Sequence, residues 1–320
     1  MLKIPVLSAI LFSITIELMA GSAQRLIANG QKGEKPIKLE TDLVTIDATV
    51  TDKNGNYIRN LGAGDFIVLG DGEPQKLDFF EANEEASLTR PLAVVFSLDR
   101  SGSIKPEEVA RQREAAEGFM RLVRPESVFA VMSFNYEIRV LQDFTSDPAK
   151  IGRAFQKMGQ TEGSTKLFAS IDQAVAMLKR GPRFIKGRRL RRVVVVITDG
   201  YDSVDSVDQR DLILRANDAE VTVYSITLPS YGLGGTQRSL TLLDVSNIVA
   251  RTGGADFPAD AGDFMPFFKK IAEEIKSSYT LAYYPPEKTR HDGRRHHITV
   301  AVPRSGAIIR TNRQSYQSSK

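Results

Sequence analysis

Apolar segments alternate with amphipathic segments between Pro91 and Ser278. Continuous apolar runs predict strands, and apolar positions spaced three and four residues apart predict helices. Val193–Thr198, with four consecutive valines, is typical of a strand that is buried on both faces. The pattern predicts strands at 92–98, 128–134, 138–142, 193–198, 221–228 and 254–257, and helices at 106–122, 167–178, 209–216, 240–251 and 263–278. This repetition predicts an α/β fold with a doubly wound, mostly parallel sheet, in which 138–142 is an antiparallel edge strand.

The segments on either side of this region have the period of strands throughout. Before it, turn residues at 52–56 and 70–72 predict two hairpins, one with arms 41–51 and 56–59 and one with arms 66–69 and 75–80. After it, 279–284, 297–302 and 308–310 are predicted strands. Because three strands bury little apolar surface by themselves, we expect residues 39–85 and 279–313 to pack together as one small β module. The α/β domain, residues 91–278, is then an insertion in that module.

The first 23 residues have the pattern of a secretory signal peptide. Lys3 precedes an apolar run over residues 4–16, and Gly21-Ser22-Ala23 supplies the small residues found before a cleavage site. The apolar run is shorter than the roughly 20 residues of a membrane span. We expect cleavage after Ala23, a polar linker over 24–38, and an exported protein, periplasmic or extracellular, with no stable membrane span. An uncleaved anchor or a buried helix is the alternative.

Composition narrows the chemistry that the chain can perform. The 320 residues include no cysteine and three histidines, at 291, 296 and 297. Disulfides, zinc–thiolate sites and thiol nucleophiles are therefore excluded, and a Ser/His/Asp triad would have to take its base from one short stretch. We predict that this stretch is the exposed tip of a hairpin, since Arg294 and Arg295 would repel a metal ion.

The densest positive charge lies between residues 180 and 192, while the net charge of the chain is only +4. Such a run could bind phosphates, anionic glycans or a membrane surface. It lacks the series of interleaved aromatic residues that base stacking requires, and it directly precedes a buried strand. We interpret it as a solvated loop and expect no nucleic acid partner.

Five oxygen-bearing side chains fall where predicted strands end. Asp99, Ser101 and Ser103 follow the first strand of the α/β region, Thr165 lies just before a helix, and Asp199 follows the valine-rich strand. Ligands of open α/β sheets bind outside the carboxyl ends of the strands, where the strand order reverses. Carboxylates and hydroxyls are the hard donors that Mg²⁺ and Ca²⁺ require, so the pattern predicts a metal site at this edge. The alternative for the first three residues is an ordinary turn with a helix N-cap.

The order Asp-x-Ser-x-Ser, a distant Gly-Ser-Thr, and Thr-Asp-Gly resembles the metal-ion-dependent adhesion site of von Willebrand factor type A and integrin inserted domains. The resemblance covers roughly residues 91–278 and implies that Ser101, Ser103 and Thr165 offer hydroxyls to Mg²⁺, with Mn²⁺ or Ca²⁺ as alternatives. It implies that Asp99 and Asp199 bind the metal directly or through water, and that the last helix, 263–278, shifts when a ligand enters.

A second, looser resemblance is to exported bacterial proteins described only as von Willebrand factor type A-related, which are abundant in Acidobacteria. It is carried by Val50-Thr51-Asp52, Asp65-Phe66, Asp71-Gly72 and the stretch 279–285. Their role is mostly undefined, so this resemblance concerns architecture more than function.

We therefore expect an exported adhesion or assembly module, not an enzyme, that captures an Asp or Glu side chain of a protein partner through the metal. Two other functions stay open: a structural protein of the cell envelope in which the metal only stabilises the loops, and a metal-assisted hydrolase. The hydrolase is disfavoured because no histidine lies within these motifs, where Glu162 is the one other candidate base. The sequence leaves the partner's identity and the oligomeric state undetermined.

Overall fold

A six-stranded sheet with helices on both faces lies at the centre of the molecule. The computed structural model of the protein describes residues 43–82, 90–100, 106–158, 164–198, 204, 206–228, 242–259 and 263–320. The predicted signal peptide and linker, residues 1–38, lie outside these ranges. Within them, no helix is both long and apolar enough to cross a membrane.

Sixteen strands are found in the described ranges. They are β1 (Val44–Thr51), β2 (Ile67–Gly70), β3 (Glu73–Gln75), β4 (Phe79–Ala82), β5 (Leu92–Asp99), β6 (Val128–Phe134), β7 (Ile138–Thr145), β8 (Phe184–Ile185), β9 (Arg188–Arg189), β10 (Arg191–Thr198), β11 (Val221–Thr227), β12 (Asp256–Pro258), β13 (Tyr279–Tyr283), β14 (Arg295–Ala301), β15 (Ile308–Thr311) and β16 (Ser315–Gln317). The helices of the same ranges are α1 (Pro106–Leu122), α2 (Pro148–Gln156), α3 (Leu167–Arg180), α4 (Gln209–Asp218), α5 (Leu242–Arg251), α6 (Met265–Lys276) and the single turn α7 (Glu287–Arg290).

The central sheet has the strand order β12-β11-β10-β5-β6-β7. Every neighbouring pair is parallel except β6 and β7, so the predicted doubly wound fold and its antiparallel edge strand are confirmed. Side chains of β10 alternate between two cores: Val193, Val195 and Ile197 face one, and Val194 and Val196 face the other. Helices α1, α2 and α6 cover the first core and α3, α4 and α5 the second. The valine run thus forms a strand that is buried on both sides, because helices cover both faces of the sheet.

Strands from before and after the α/β region pair with each other in two further sheets. Strand β1 lies between β13 and β15 in the order β15-β1-β13-β4, and the second sheet has the order β16-β14-β2-β3. Their apolar side chains share a core that includes Ile46, Val50, Leu281 and Tyr283. The predicted β module made of both flanking segments is therefore present, and residues 42–320 form one compact unit. The boundaries that we predict between module and inserted domain stay predictions.

Several predicted element boundaries were wrong. Residues 56–59 form no strand; Tyr57 makes only an isolated bridge to Thr51. The predicted arm 75–80 is divided between β3, which pairs with β2, and β4, which pairs with β13 in the other sheet. Helix α2 was not predicted, although Asp147 caps it by accepting a 2.9 Å hydrogen bond from the Ala149 N–H and Pro148 begins it.

The basic run is not the solvated loop that the sequence indicated. Residues 184–189 form the hairpin β8–β9, and several of the arginines point inward. Arg189 pairs with Glu220, and Arg191 is buried with its Nε 3.5 Å from Asp47 Oδ2. Only part of the run therefore remains exposed to solvent.

Two buried carboxylates connect the β module to the α/β region. Asp47 of β1 accepts a 2.8 Å hydrogen bond from Arg90 Nη1 and lies beside Arg191. Burial alone would raise the pKa of Asp47, but the charges of Arg90 and Arg191 outweigh it and hold the pKa below its ordinary value. Glu274 of α6 accepts hydrogen bonds from Arg310 of β15 at 2.7 Å and from the Tyr224 hydroxyl at 3.1 Å.

We expected all three histidines at an exposed hairpin tip, and this prediction was wrong for one of them. His291 and His297 are exposed, but His296 is only 5% exposed. Its Nδ1 lies 2.6 Å from Asp71 Oδ2, and its Nε2 lies 3.0 Å from Asp292 Oδ1. Because both ring nitrogens face carboxylates, both act as donors, which requires the imidazolium form. The sequence did not reveal this because Asp71 lies 225 residues away in the chain.

Stability should depend on pH through His296. Burial lowers the pKa of His296, but the hydrogen bonds to Asp71 and Asp292 outweigh burial and raise the pKa above its ordinary value. The stabilisation is therefore fully present below about pH 6.5, the pKa of an unfolded histidine, and is lost as pH rises through the folded value. Urea unfolding from pH 5.5 to 9 should show this loss, and His296→Gln should abolish it. The exposed His297→Gln serves as the control, and an equal slope in His296→Gln would contradict the assignment.

Candidate metal centre

The predicted site residues lie at the place where the strand order of the central sheet reverses. Strands β6 and β7 extend the sheet on one side of β5, whereas β10, β11 and β12 extend it on the other. The switch point is therefore between β5, which ends at Asp99, and β10, which ends at Thr198. Connections leave this point in opposite directions and open a crevice there.

Asp99 is held rigidly at this point. The residue is only 1% exposed, and its Oδ2 accepts a 2.8 Å hydrogen bond from the Thr198 hydroxyl on the neighbouring strand. The parallel register of β5 and β10, with Leu98 opposite Ile197, brings the two strand ends level. Thr198 was not among the predicted site residues, although its place just before Asp199 in Thr-Asp-Gly indicated the same edge.

Thr165 is attached to the same corner through β6. The backbone N–H of Arg100 donates to the Phe134 carbonyl at 2.8 Å, and the N–H of Lys166 donates to the next carbonyl, that of Asn135, at 2.9 Å. The loops that carry Asp99 and Thr165 are therefore fastened to consecutive residues at the end of one strand. Thr165 itself is 5% exposed.

Asn135 is a further residue of this corner that the sequence analysis missed. Its Oδ1 accepts a 3.0 Å hydrogen bond from the Glu137 N–H, which closes the turn after β6. Its buried Nδ2 has no hydrogen-bond partner in the part of the chain that the structure describes. Next to it, Tyr136 is 48% exposed at the rim of the corner. The signal that could have revealed Asn135 is its position directly after an apolar strand, as for Asp99.

The structure describes two of the five predicted ligands, Asp99 and Thr165, and places their loops on one strand end. Ser101, Ser103 and Asp199 lie outside the described residues. The described donors fit a hard cation, because a carboxylate and hydroxyls are present without sulfur or imidazole. No group of three or more His, Cys, Asp or Glu able to hold a metal occurs in the described ranges. Any metal at this corner would thus depend on hydroxyl oxygens and on residues outside those ranges.

Comparison with known proteins found similarity in the central region. Residues 94–201 match the family model of the von Willebrand factor type A domain. A stretch of 137 residues is 28% identical to integrin alpha-M of Mus musculus, covering 42% of this chain and 12% of the integrin. The chain thus matches about an eighth of that relative's length.

The solved structures that match this chain have low sequence identity to it. A von Willebrand factor type A protein from Catenulispora acidiphila has a TM-score of 0.47 and 11% identity over 87% of this chain and 74% of that one. BatB from Bacteroides thetaiotaomicron has a TM-score of 0.41 and 15% identity over 57% of this chain and 97% of that one. The family match over residues 94–201 therefore carries the comparison: this part of the chain is similar to a von Willebrand factor type A domain.

Proposed function

We propose that this protein captures an acidic side chain of a protein partner through a divalent cation at the carboxyl ends of β5 and β10. Von Willebrand factor type A domains are in general protein-interaction modules. The observation that carries the proposal is the buried Asp99, fixed by Thr198 at the switch point, with the Thr165 loop fastened to the same strand end. Asp99, Ser101, Ser103, Thr165 and Asp199 would hold the cation, which is Mg²⁺ or, in its place, Mn²⁺ or Ca²⁺.

The chemistry of these donors favours binding over catalysis. The two carboxylates can at most balance the charge of a divalent ion. Where one of them binds only through water, the neutral hydroxyls add no negative charge, and the ion stays electron-poor. Such an ion supplies a coordination position to an incoming Asp or Glu.

Metal binding is the first test. Titration of the purified protein with Mn²⁺, followed by calorimetry, should show one site per chain. Asp99→Asn and Thr165→Val each remove a ligand at nearly constant volume and should weaken Mn²⁺ binding at least about tenfold, while circular dichroism stays unchanged. Ser164→Ala is the matched control, because Ser164 is the exposed neighbour of Thr165 and is not a predicted ligand. Binding that none of the ligand variants weakens would disprove the site.

Partner capture is the second test. Immobilised protein should retain Glu- and Asp-containing peptides from a random library in the presence of Mg²⁺ and release them with EDTA, and it should not retain the matched Gln and Asn peptides. Retention that EDTA leaves intact would refute metal-bridged capture. Metal binding that raises only the melting temperature would assign a structural role, and turnover of an ester or phosphoester substrate lost in Asp99→Asn would assign catalysis.

A further inference from the structure

The hairpin β8–β9 projects from the end of the sheet opposite to the candidate metal centre. It lies between the end of α3 at Arg180 and the start of β10 at Arg191. Its turn consists of Lys186 and Gly187, both with positive φ, of 48° and 74°, as in a tight two-residue hairpin turn. Because β10 runs from this end to Thr198, the hairpin and the metal corner occupy opposite ends of the central strands.

Positive charge is concentrated in this hairpin and its flanks. Residues 179–192 contain eight Lys and Arg residues and no Asp or Glu. Three of the arginines are used internally: Arg189 pairs with Glu220, Arg191 with Asp47, and Arg192 donates to the Ala219 carbonyl at 3.0 Å.

Four exposed cations of the hairpin and its flank make no ion pair within the described residues: Lys179, Arg180, Arg183 and Lys186. Lys186 contributes to the lowered pKa of Glu126, but the largest cause of that shift is the hydrogen bond that Glu126 accepts from Arg124. The cations of this cluster repel one another. The pKa of Arg192 is lowered mainly by burial and further by the charges of Arg183 and Arg189, although Glu220 raises it. The outer side of the hairpin is therefore strongly positive.

A large apolar side chain is exposed in the middle of this charge. Phe184 is 57% exposed, whereas its neighbour Ile185 packs against the α3 side of the core. Exposed rings of this size are favourable to bury, yet nothing in the described chain covers Phe184. A cationic surface with one protruding aromatic ring combines the two features by which peripheral proteins hold anionic lipid bilayers.

We propose that the hairpin β8–β9 binds the surface of an anionic phospholipid membrane. The exposed cations contact lipid phosphates, and the Phe184 ring enters the boundary between headgroups and acyl chains. Nucleic acid fits less well, because binding of successive bases needs several aromatic platforms and the hairpin offers one. Bound in this way, the membrane lies at one end of the sheet and the candidate metal centre faces away from it. The proposal stands independently of metal binding.

Vesicle flotation of the full chain tests the proposal. Binding to vesicles of phosphatidylcholine with 30% phosphatidylglycerol should be clear in about 0.1 M salt, weak in 0.5 M salt, and undetectable with pure phosphatidylcholine. Arg183→Glu with Lys186→Glu should lower the partition coefficient at least about tenfold, because each cation near such a surface strengthens binding roughly fivefold. Phe184→Ala should lower it about three- to tenfold.

Matched controls distinguish vesicle binding by the hairpin from nonspecific electrostatic and hydrophobic adsorption. Phe79 of β4 is 56% exposed, so Phe79→Ala removes an equally exposed ring, and Lys53→Glu with Lys288→Glu reverses the same number of exposed charges elsewhere. Both controls should retain vesicle binding, and all variants should keep the circular dichroism of the parent. Absence of binding to anionic vesicles, or equal losses in hairpin and control variants, would overturn the proposal. If the protein bound heparin or single-stranded DNA tightly, equally well with Phe184→Ala, and did not bind vesicles, the ligand of the hairpin would be a soluble polyanion and not a membrane.

Discussion

Asp47→Asn is expected to reduce the free energy of unfolding by about 3–5 kcal/mol, the usual cost of removing one partner from a buried ion pair. Its carboxylate lies between the guanidinium groups of Arg90 and Arg191 and also accepts a 3.1 Å hydrogen bond from the Thr280 hydroxyl. The amide keeps the volume but removes the counter-charge of the buried Arg191 and of the partly buried Arg90. Urea denaturation at pH 7, monitored by circular dichroism, measures the loss.

An exposed ion pair provides the comparison for Asp47. Glu273 lies 3.2 Å from Arg59 with more than half of its side chain exposed, and Glu273→Gln should change the unfolding free energy by less than about 1 kcal/mol. The stabilisation by Asp47 should persist over the neutral range and disappear only in acid, as pH falls below the ordinary carboxyl pKa and through the lowered folded value. Equal effects of the two substitutions would show that the buried network contributes nothing special.

Gly254→Ala is expected to destabilise the fold by more than about 3 kcal/mol, beyond the usual range for one extra methyl group in a packed interior. A Cβ at this position would lie 1.9 Å from the carbonyl oxygen of Val223, an atom fixed within the central strand β11. The N–H of Gly254 also donates to the Val249 carbonyl at 3.0 Å, so the backbone cannot simply move aside. Soluble expression and the midpoint of urea unfolding report the effect.

Substitutions at two other glycines distinguish the steric cost at Gly254 from the usual conformational cost of replacing a glycine. Gly64 has an unstrained φ and open space, so Gly64→Ala should be neutral or slightly stabilising. Gly55 has φ of 83° but also open space, so Gly55→Ala isolates the cost of the left-handed conformation, about 1–2 kcal/mol. If Gly254→Ala cost no more than Gly55→Ala, the close approach of the two backbones would be wrong.

The sequence was most informative where burial alone determines the element. The valine run of β10 and the apolar strands β5 and β6 follow from hydrophobicity alone. Along α6 and the residue before it, the helical spacing of apolar residues predicts a core stripe of Phe264, Phe267, Phe268 and Ile271, of which Phe267 is only partly buried. The misjudged segments are those whose state depends on distant partners. Residues 75–80 split because they pair with two different strands, and His296 has a carboxylate partner because Asp71 approaches from the turn between β2 and β3.

The candidate site could be located from the sequence but not completed. The rule that ligands meet at strand ends correctly placed Asp99 at the switch point and Thr165 on a loop at the same edge. The sequence analysis missed Asn135 because an asparagine in a turn has many structural roles. What marks it is a buried amide nitrogen with no hydrogen-bond partner among the residues that the structure describes. The metal ligation of all five residues, Asp99, Ser101, Ser103, Thr165 and Asp199, stays a prediction that the binding experiments test.

The arrangement of β1 has a consequence for synthesis on the ribosome. Its two neighbours are β13 and β15, and Tyr283, which pairs with Val44, is made 239 residues later. At translation rates of roughly 5–20 residues per second, the nascent β1 waits on the order of 10–50 s before either neighbour exists. A strand with both edges unpaired can pair with another chain during that interval. Newly made chains are therefore open to such pairing through residues 44–51 until the last strands emerge.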